Sequence, residues 1–238
     1  MTRIVEIIDF ACQGITRPVI CRATDGHEYV VKGNYAGHRA LIAEWVAGRL
    51  GQLLGLPIPS FEQLTVDRQI LDYSIKSEEV SNLGRGTLFG SRRVPDVVEI
   101  RPADVSLLSW EVRAKVLAFD WWVANPDRVW VDNIGNPNLL WDEGAKKIFV
   151  MDHNLAFSTE NMNTFWSDHI FRDAKQLWNT HYCELLASEF GKALGQLDLL
   201  WTELPDDWTE AKTDLTLESV RATLNRYLVE PKPFWGLQ

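Results

Sequence analysis

Residues 125–157, NPDRVWVDNIGNPNLLWDEGAKKIFVMDHNLAF, carry the side chains whose types and spacing could do chemistry. Two apolar runs, Leu139–Trp141 and Ile148–Met151, flank the polar stretch Asp142–Lys147, a pattern that reads as a β-hairpin with more than a two-residue turn. Asp127 and Arg128 precede the hairpin, Asn136-Pro137-Asn138 open it and Asp152 closes it. In phosphoryl transfer one carboxylate orients the attacking hydroxyl, while an Asn and a second Asp hold magnesium over the phosphates. Magnesium is a hard cation that takes a few oxygen ligands and keeps its waters, so Asn136 and Asp152 suit it. The same spacing fits a surface hairpin with ordinary loop acids equally well.

The elements that must position these groups follow in chain order. Residues 3–8 read as a strand, then a loop from Cys12 to Pro18, the strand Val19–Arg22, an Asp25-Gly26 turn and the returning strand Tyr29–Lys32. A loop with Gln13, Gly14 and Thr16 can fold over phosphates through backbone N–H groups, Gly14 allowing close approach and Thr16 adding a hydroxyl. It lacks the three-glycine pattern of eukaryotic kinases, and taken alone it is an ordinary hairpin loop. Lys32 closes a Val-Val-Lys strand, where a lone Lys is commonly solvated. Residues 40–54 form a helix with an apolar stripe at Leu41, Ile42, Trp45, Val46, Leu50, Leu53 and Leu54. Glu44 lies instead among Ala40, Ala47, Gly48 and Gly51, a face of small residues that another element can approach. Gly55 and Pro57 stop the helix.

Residues 63–66 and 69–73 read as two short β pieces, and 81–95 as a Gly-rich, basic loop. Gly84, Gly86 and Gly90 miss the dinucleotide spacing by one and open no helix, which excludes a Rossmann reading. Arg92 and Arg93 are either solvated or aimed at a phosphate. A helix over 104–125 ends at Pro126, and Asp120 within it is a structural hydrogen-bonding acid. Residues 158–164 occupy the place of an activation-like loop. Residues 165–204 and 215–228 are helical, interrupted by the breaker Leu204-Pro205-Asp206-Asp207-Trp208.

With 238 residues the chain can bury one sizeable core or two small lobes. A net charge of −9, with only Arg85, Arg92 and Arg93 clustered, disfavours nucleic-acid binding by this surface. The opening MTRIVEIIDFACQG carries acids and lacks a long apolar run, so no signal peptide is expected, and no stretch is long enough to span a bilayer. Cys12, Cys21 and Cys183 have no paired metal spacing and fit reduced thiols in a cytoplasm; the five His residues form no zinc signature. Trp is abundant, and Trp121, Trp122, Trp130 and Trp141 gather near the hairpin, where the bulk of the ring suits a core or lobe interface.

NPDR…NPNLLW, followed by a strand and a hydrophobic-Asp-His…Ala-Phe ending, resembles the HipA-like kinases, a branch of the protein-kinase-like superfamily. QGITRPVICR…DGHEYVVKG, LIAEWVAGRLGQLLGLPIP and LGRGTLFGSRRV resemble the same branch in the same order, over roughly the first two thirds of the chain. The resemblance implies an α+β, two-lobed fold: a β-rich small lobe over 1–80, an inter-lobe segment over 81–100 and a helical lobe over 101–238, with ATP between the lobes. It implies ATP- and Mg2+-dependent transfer to a protein Ser or Thr hydroxyl. Asp127 is then the catalytic base or orienter, Asn136 and Asp152 the metal ligands, and Lys32 the phosphate contact. Glu44 pairs with Lys32 and steadies it, while Arg128 neutralises a carboxylate or the transferring phosphate. Catalytic loops with the HRDLxxxN spacing put their Asn where this chain has Asp132. Asn136 comes later, so Val129–Gly135 is expected to bulge out and return, with Asn133 in the bulge. Two other classes use the same residues: a catalytically weak, pseudokinase-like binding or regulatory module with a partner encoded alongside, as in toxin–antitoxin pairs, and a small-molecule kinase.

Overall fold

Five strands build a closed barrel around an apolar interior. They are β1 (Thr2–Phe10), β2 (Val19–Ala23), β3 (Glu28–Lys32), β4 (Phe61–Val66) and β5 (Leu88–Arg92), in the order β1-β2-β3-β5-β4. All neighbours pair antiparallel except β1 and β4, whose parallel register Thr2↔Leu64 closes the ring. Strand side chains alternate between faces, and Val19, Cys21, Ala23, Tyr29 and Val31 point inward with Ile4, Leu64 and Leu88. The computed structural model describes residues 2–10, 16–73, 83–132, 134–159 and 162–236.

Two expectations for this part of the chain need correction. Residues 81–95 are not a loop throughout, because Leu88–Arg92 is β5, lying between β3 and β4. Gly90 disguised it. A Cβ there would meet Leu64 Cδ1 at 2.3 Å, so the barrel requires a residue that ordinarily signals a break in a strand. Residues 69–73 are helical rather than extended: α2 (Arg68–Tyr73) starts where the Asp67 carbonyl accepts the N–H groups of Ile70 and Leu71. A short apolar run such as Ile70-Leu71 does not distinguish the two states.

Between β3 and β4 runs α1 (His38–Leu53), closed by Gly55 in the left-handed region at φ +73. Contacts divide the chain into two units. The first comprises 1–45, 59–95 and 204–213, and the second 46–58, 96–203 and 214–238, so α1 contributes to both.

The second unit holds a three-stranded antiparallel sheet, β6 (Val98–Glu99), β7 (Leu139–Asp142) and β8 (Lys147–Val150). The expected single helix over 104–125 is two: α3 (Pro102–Val105) and α4 (Trp110–Trp122). Ser109 interrupts them, its side chain accepting the Val112 N–H at 3.3 Å as a fresh N-cap. Beyond the hairpin come α5 (Phe165–Asp168), a 3₁₀ turn over Arg172–Leu177, α6 (Thr180–Leu194) and α7 (Leu197–Thr202). The chain then forms α8 (Asp206–Thr209), α9 (Leu217–Leu224), α10 (Arg226–Val229) and α11 (Pro231–Trp235). Trp122 packs α4 onto this layer: its ring stacks on Phe190 at 4.3 Å and its indole N–H donates to the Leu224 carbonyl. Among the described residues no helix is long and apolar enough to cross a membrane.

Gly33 follows Lys32 directly, and a Cβ there would sit 2.1 Å from the Leu83 carbonyl oxygen. That neighbour is backbone and cannot rotate away. Gly33→Ala is therefore expected to lower stability by about 1–3 kcal/mol. Urea unfolding checks this, and an unchanged midpoint would contradict the tight approach of the two loops.

Candidate active site

In the first unit β3 carries Lys32 on the face opposite Val31, where it is buried. An ammonium there must have a counter-charge. Glu44 of α1 provides it: Lys32 Nζ lies 2.5 Å from Glu44 Oε1, with both side chains under a tenth exposed. The small face around Glu44 continues at Gly51, in the second unit, where a Cβ would meet Phe119 Cζ of α4 at 3.1 Å. Of the loop residues expected over phosphates, Thr16 is a half-buried turn residue, while Gln13 and Gly14 lie outside the described residues. Arg93 pairs with Glu28 at 2.7 Å, and Arg92 Nη2 is 2.9 Å from His27 Nδ1, so both arginines engage neighbours on the barrel's exposed face.

The second unit gathers its polar groups around Asp120, a fully buried carboxylate on α4. Arg128 approaches it side-on, with Nε–Oδ2 at 2.7 Å and Nη2–Oδ1 at 3.2 Å, the two-bond geometry of the strongest ion pairs. The remaining Arg128 nitrogen, Nη1, donates to the carbonyls of Pro137 at 3.0 Å and Asn138 at 2.7 Å, with that of Met151 at 3.4 Å. Those carbonyls lie on the two sides of the open mouth of the β7–β8 hairpin. Of the two contacts expected of Arg128, the structure shows the one to a carboxylate, and the side chain is fully buried. Asn125 donates its amide to Asp120 Oδ1 at 2.9 Å. His169 Nε2 lies 3.1 Å from Asp120 Oδ2, and the segment carrying it pairs with the loop after Asp127 through Trp130 N–H to Asp168 O and Ile170 N–H to Arg128 O.

That scaffold presents Asp127 half-buried, its Oδ2 accepting the Asn138 side-chain amide at 3.0 Å. Asn138 was not among the residues expected at the site. It sits at φ +50, a left-handed conformation that Asn tolerates, and this turns its side chain into the hairpin mouth at 3% exposure. Asn136 is exposed instead, and its side-chain oxygen accepts the Asn138 N–H at 3.4 Å. The available signal was adjacency to the strand: Asn138, not Asn136, directly precedes Leu139. Asn133 lies outside the described residues. The Met151 N–H donates to the Asn138 carbonyl at 3.1 Å, which continues the β7–β8 register by one pair and brings Asp152 next in line. Paired strands are about 5 Å apart, so Asn138 and Asp152 are near neighbours. Asp152 is half-buried at φ +57, uncommon for a residue other than glycine. The chain beyond it is tied down: Phe157, also at positive φ, donates its N–H to the Val123 carbonyl at the end of α4 at 2.7 Å.

Burial acts to raise the Asp120 pKa, but the Arg128 charge and the His169 hydrogen bond outweigh it and hold the carboxyl well below the usual range. Burial lowers the pKa of His169, which Asp120 only partly offsets. His169 Nδ1 accepts the Phe171 N–H at 3.0 Å, so the neutral ring carries its proton on Nε2 and donates it to Asp120. Burial pushes the Cys21 thiol up to about 12 and Cys183 up to about 11, which leaves neither a ready nucleophile. Asp127, Asn138 and Asp152 are all oxygen donors and suit a hard divalent cation. Among the described residues no trio of His, Cys, Asp or Glu gathers as a metal-holding group.

A β-barrel with a buried lysine–glutamate pair, and a hairpin flanked by two acids and an amide, define a mixed α/β protein of the kinase class. The chain belongs to the HipA-like kinase family, whose sequence pattern matches residues 4–238. No curated protein matches it. Among solved structures it is similar to the Helicobacter pylori proinflammatory kinase CtkA, at 9% identity and TM-score 0.47, covering 93% of this chain and 92% of that one. The FAT and kinase domain of CtTel1 matches at 14% identity and TM-score 0.34, covering 97% of this chain and 23% of that one.

Folding forces His169 to stay neutral and Asp120 ionised. A His with a lowered folded pKa stabilises the fold above its unfolded value, about 6.5, and this contribution is lost as pH falls below it. Asp120 adds a further loss only at strongly acid pH, as its depressed folded pKa is approached. Wild-type protein should therefore lose stability between pH 7 and pH 5, and His169→Gln should flatten that slope. Asp120→Asn, which leaves Arg128 buried without its counter-charge, should cost about 3–5 kcal/mol at pH 7. Urea midpoints at the two pH values read both effects; an equal slope in the His169 variant contradicts the neutral-ring assignment.

Proposed function

We propose that this kinase transfers the γ-phosphoryl group of ATP, with Mg2+, to a serine or threonine hydroxyl of a protein. The observation that carries this reading is the gathering of Asp127, Asn138 and Asp152 at one hairpin mouth, with Asp127 gripped by the Asn138 amide. Asp127 orients the attacking hydroxyl and takes its proton. Its hydrogen bond from Asn138 fixes the carboxylate plane before substrate arrives, which is where electrostatic positioning gains its rate. Asn138 and Asp152 are the residues that hold Mg2+, Asn138 replacing Asn136 in that role because it is the amide facing inward. Bound there, the metal neutralises charge developing on the phosphates. Lys32 engages the phosphates, and Glu44 fixes the direction of its ammonium.

In this reading residues 1–80 are the small lobe, 81–100 the inter-lobe segment and 101–238 the large lobe of a two-lobed kinase. The preference for a protein Ser or Thr rests on the family likeness, as do a cytoplasmic setting and a partner of toxin–antitoxin type.

Incubating the purified chain with γ-labelled ATP, Mg2+ and host proteins tests the reading, with label expected on Ser or Thr. Asp127→Asn and Asp152→Ala should each reduce transfer at least about a hundredfold while the protein stays folded. Lys32→Met should impair turnover more than folding. Asn138→Ala should raise the Mg2+ concentration needed for half-maximal rate, and Asn136→Ala should leave it nearly unchanged. No transfer by folded wild-type protein would sink the kinase mechanism as written, and the opposite ranking of the two Asn variants would return the metal to Asn136.

A further inference from the structure

Residues 204–213 belong to the first unit, although the chain on both sides of them belongs to the second. In sequence they look like a break between helices. In the structure they form the single turn α8, whose Trp208 and Thr209 N–H groups both donate to the Pro205 carbonyl. Two side chains of this turn hold one distant residue by its backbone. Asp207 Oδ2 accepts the Thr87 N–H at 2.7 Å, and Trp208 Nε1 donates to the Thr87 carbonyl at 2.8 Å. Thr87 immediately precedes β5, so its peptide groups are satisfied much as a neighbouring strand would satisfy them. Gly86, at φ +99, leaves room for this approach: a Cβ there would meet Asp207 Oδ2 at 2.5 Å.

The Trp208 ring is fully buried and meets Trp45 edge-on, with ring centres 6.4 Å apart. Trp45 meets Phe61 of β4 edge-on at 5.3 Å, and Phe61 meets Phe89 of β5 at 5.3 Å. Trp45 is the residue after Glu44. The column Trp208–Trp45–Phe61–Phe89 therefore sets how α1 rests on the barrel at the residue that holds Lys32. A short charge-assisted bond between two buried groups tolerates little displacement of either backbone. Rigid aromatic packing fixes such a separation more sharply than aliphatic packing does, because each ring has few rotamers and a preferred edge geometry.

We propose that residues 204–213 are a strap that positions Glu44, with Trp208 and Asp207 acting on Lys32 through Trp45 and α1. The proposal rests on Lys32 and Glu44 being the phosphate-handling pair. It makes a segment late in the chain, remote in sequence from every group that touches substrate, a determinant of how well the nucleotide is held for reaction.

A double-mutant cycle in the intact chain tests it. Trp208→Leu should lower kcat/KM for ATP by about ten- to a hundredfold, the scale of a misplaced reacting group. Asp207→Asn, which preserves size and is the safer variant for folding, should move the same constant in the same direction by less. In a Glu44→Gln background each strap substitution should change kcat/KM by under about twofold, because the group through which it acts is already lost. Effects that simply multiply would overturn the proposal. Amide hydrogen exchange gives a reading independent of turnover: Trp208→Leu should speed exchange across His38–Trp45 while β2 and β3 stay protected. Uniform acceleration through the barrel would mean that Trp208 only fills space, and would also overturn it. Should the folded wild type transfer no phosphate, the kinase mechanism fails and exchange alone decides the strap.

Discussion

A carboxylate with no exposure to water cannot exist in this interior without its guanidinium, and the Asp120–Arg128 pair is the constraint on which the rest of the second unit depends. Such a pair adds little net stability, since desolvation offsets much of the attraction. What it supplies is direction. Arg128 has donors on both edges, so Nη1, which does not face Asp120, must find acceptors, and these are the carbonyls at the open mouth of the hairpin. Helix α4, the loop carrying Asp127 and the hairpin are thereby brought to one point. His169 adds the segment after the hairpin to the same carboxylate. The groups proposed to do chemistry then need no buried partners beyond their own, because the backbone beneath them is already held.

The two buried ion pairs solve different problems. Asp120–Arg128 is surrounded by carbonyls, an amide and an imidazole, and every group around it is turned inward. Lys32–Glu44 joins one strand to one helix, with the ammonium on a flexible stem. The first suits a fixed scaffold. The second suits a cation that is steadied and can still adjust.

Much of this was legible in the residues, for identifiable reasons. The hairpin could be read because Leu139–Trp141 and Ile148–Met151 frame an unambiguous polar turn; the strands are β7 and β8, within a residue of those limits. The pairing of Lys32 with Glu44 was implied by the family resemblance, and the face of small residues along α1 was compatible with it. Asn138 was missed because spacing along a chain says nothing of which way a left-handed residue turns its side chain. Arg128 was expected on a carboxylate or on phosphate, but its carbonyl partners were not legible because they come from residues whose own side chains carry no such signal. Trp121 and Trp122 read as core or interface bulk, but their partners, the C-terminal helices more than a hundred residues away, are a contact that no local pattern encodes. β5 hid behind Gly90 because the reason for the glycine, Leu64, lies on another strand.

The interleaving of the two units has a consequence for how the protein comes into being. Part of α1, made early, belongs to the later unit, and residues 204–213, made late, belong to the earlier one. On the ribosome the barrel strands emerge long before the turn that holds Thr87, so the first unit waits with Trp45 lacking its Trp208 neighbour. Neither unit is a continuous length of chain that could mature alone. Chain order and spatial order are crossed, loop closures over such separations are slow, and the nascent protein carries an unfinished, apolar-lined barrel from the completion of β5 until residues 204–213 are made.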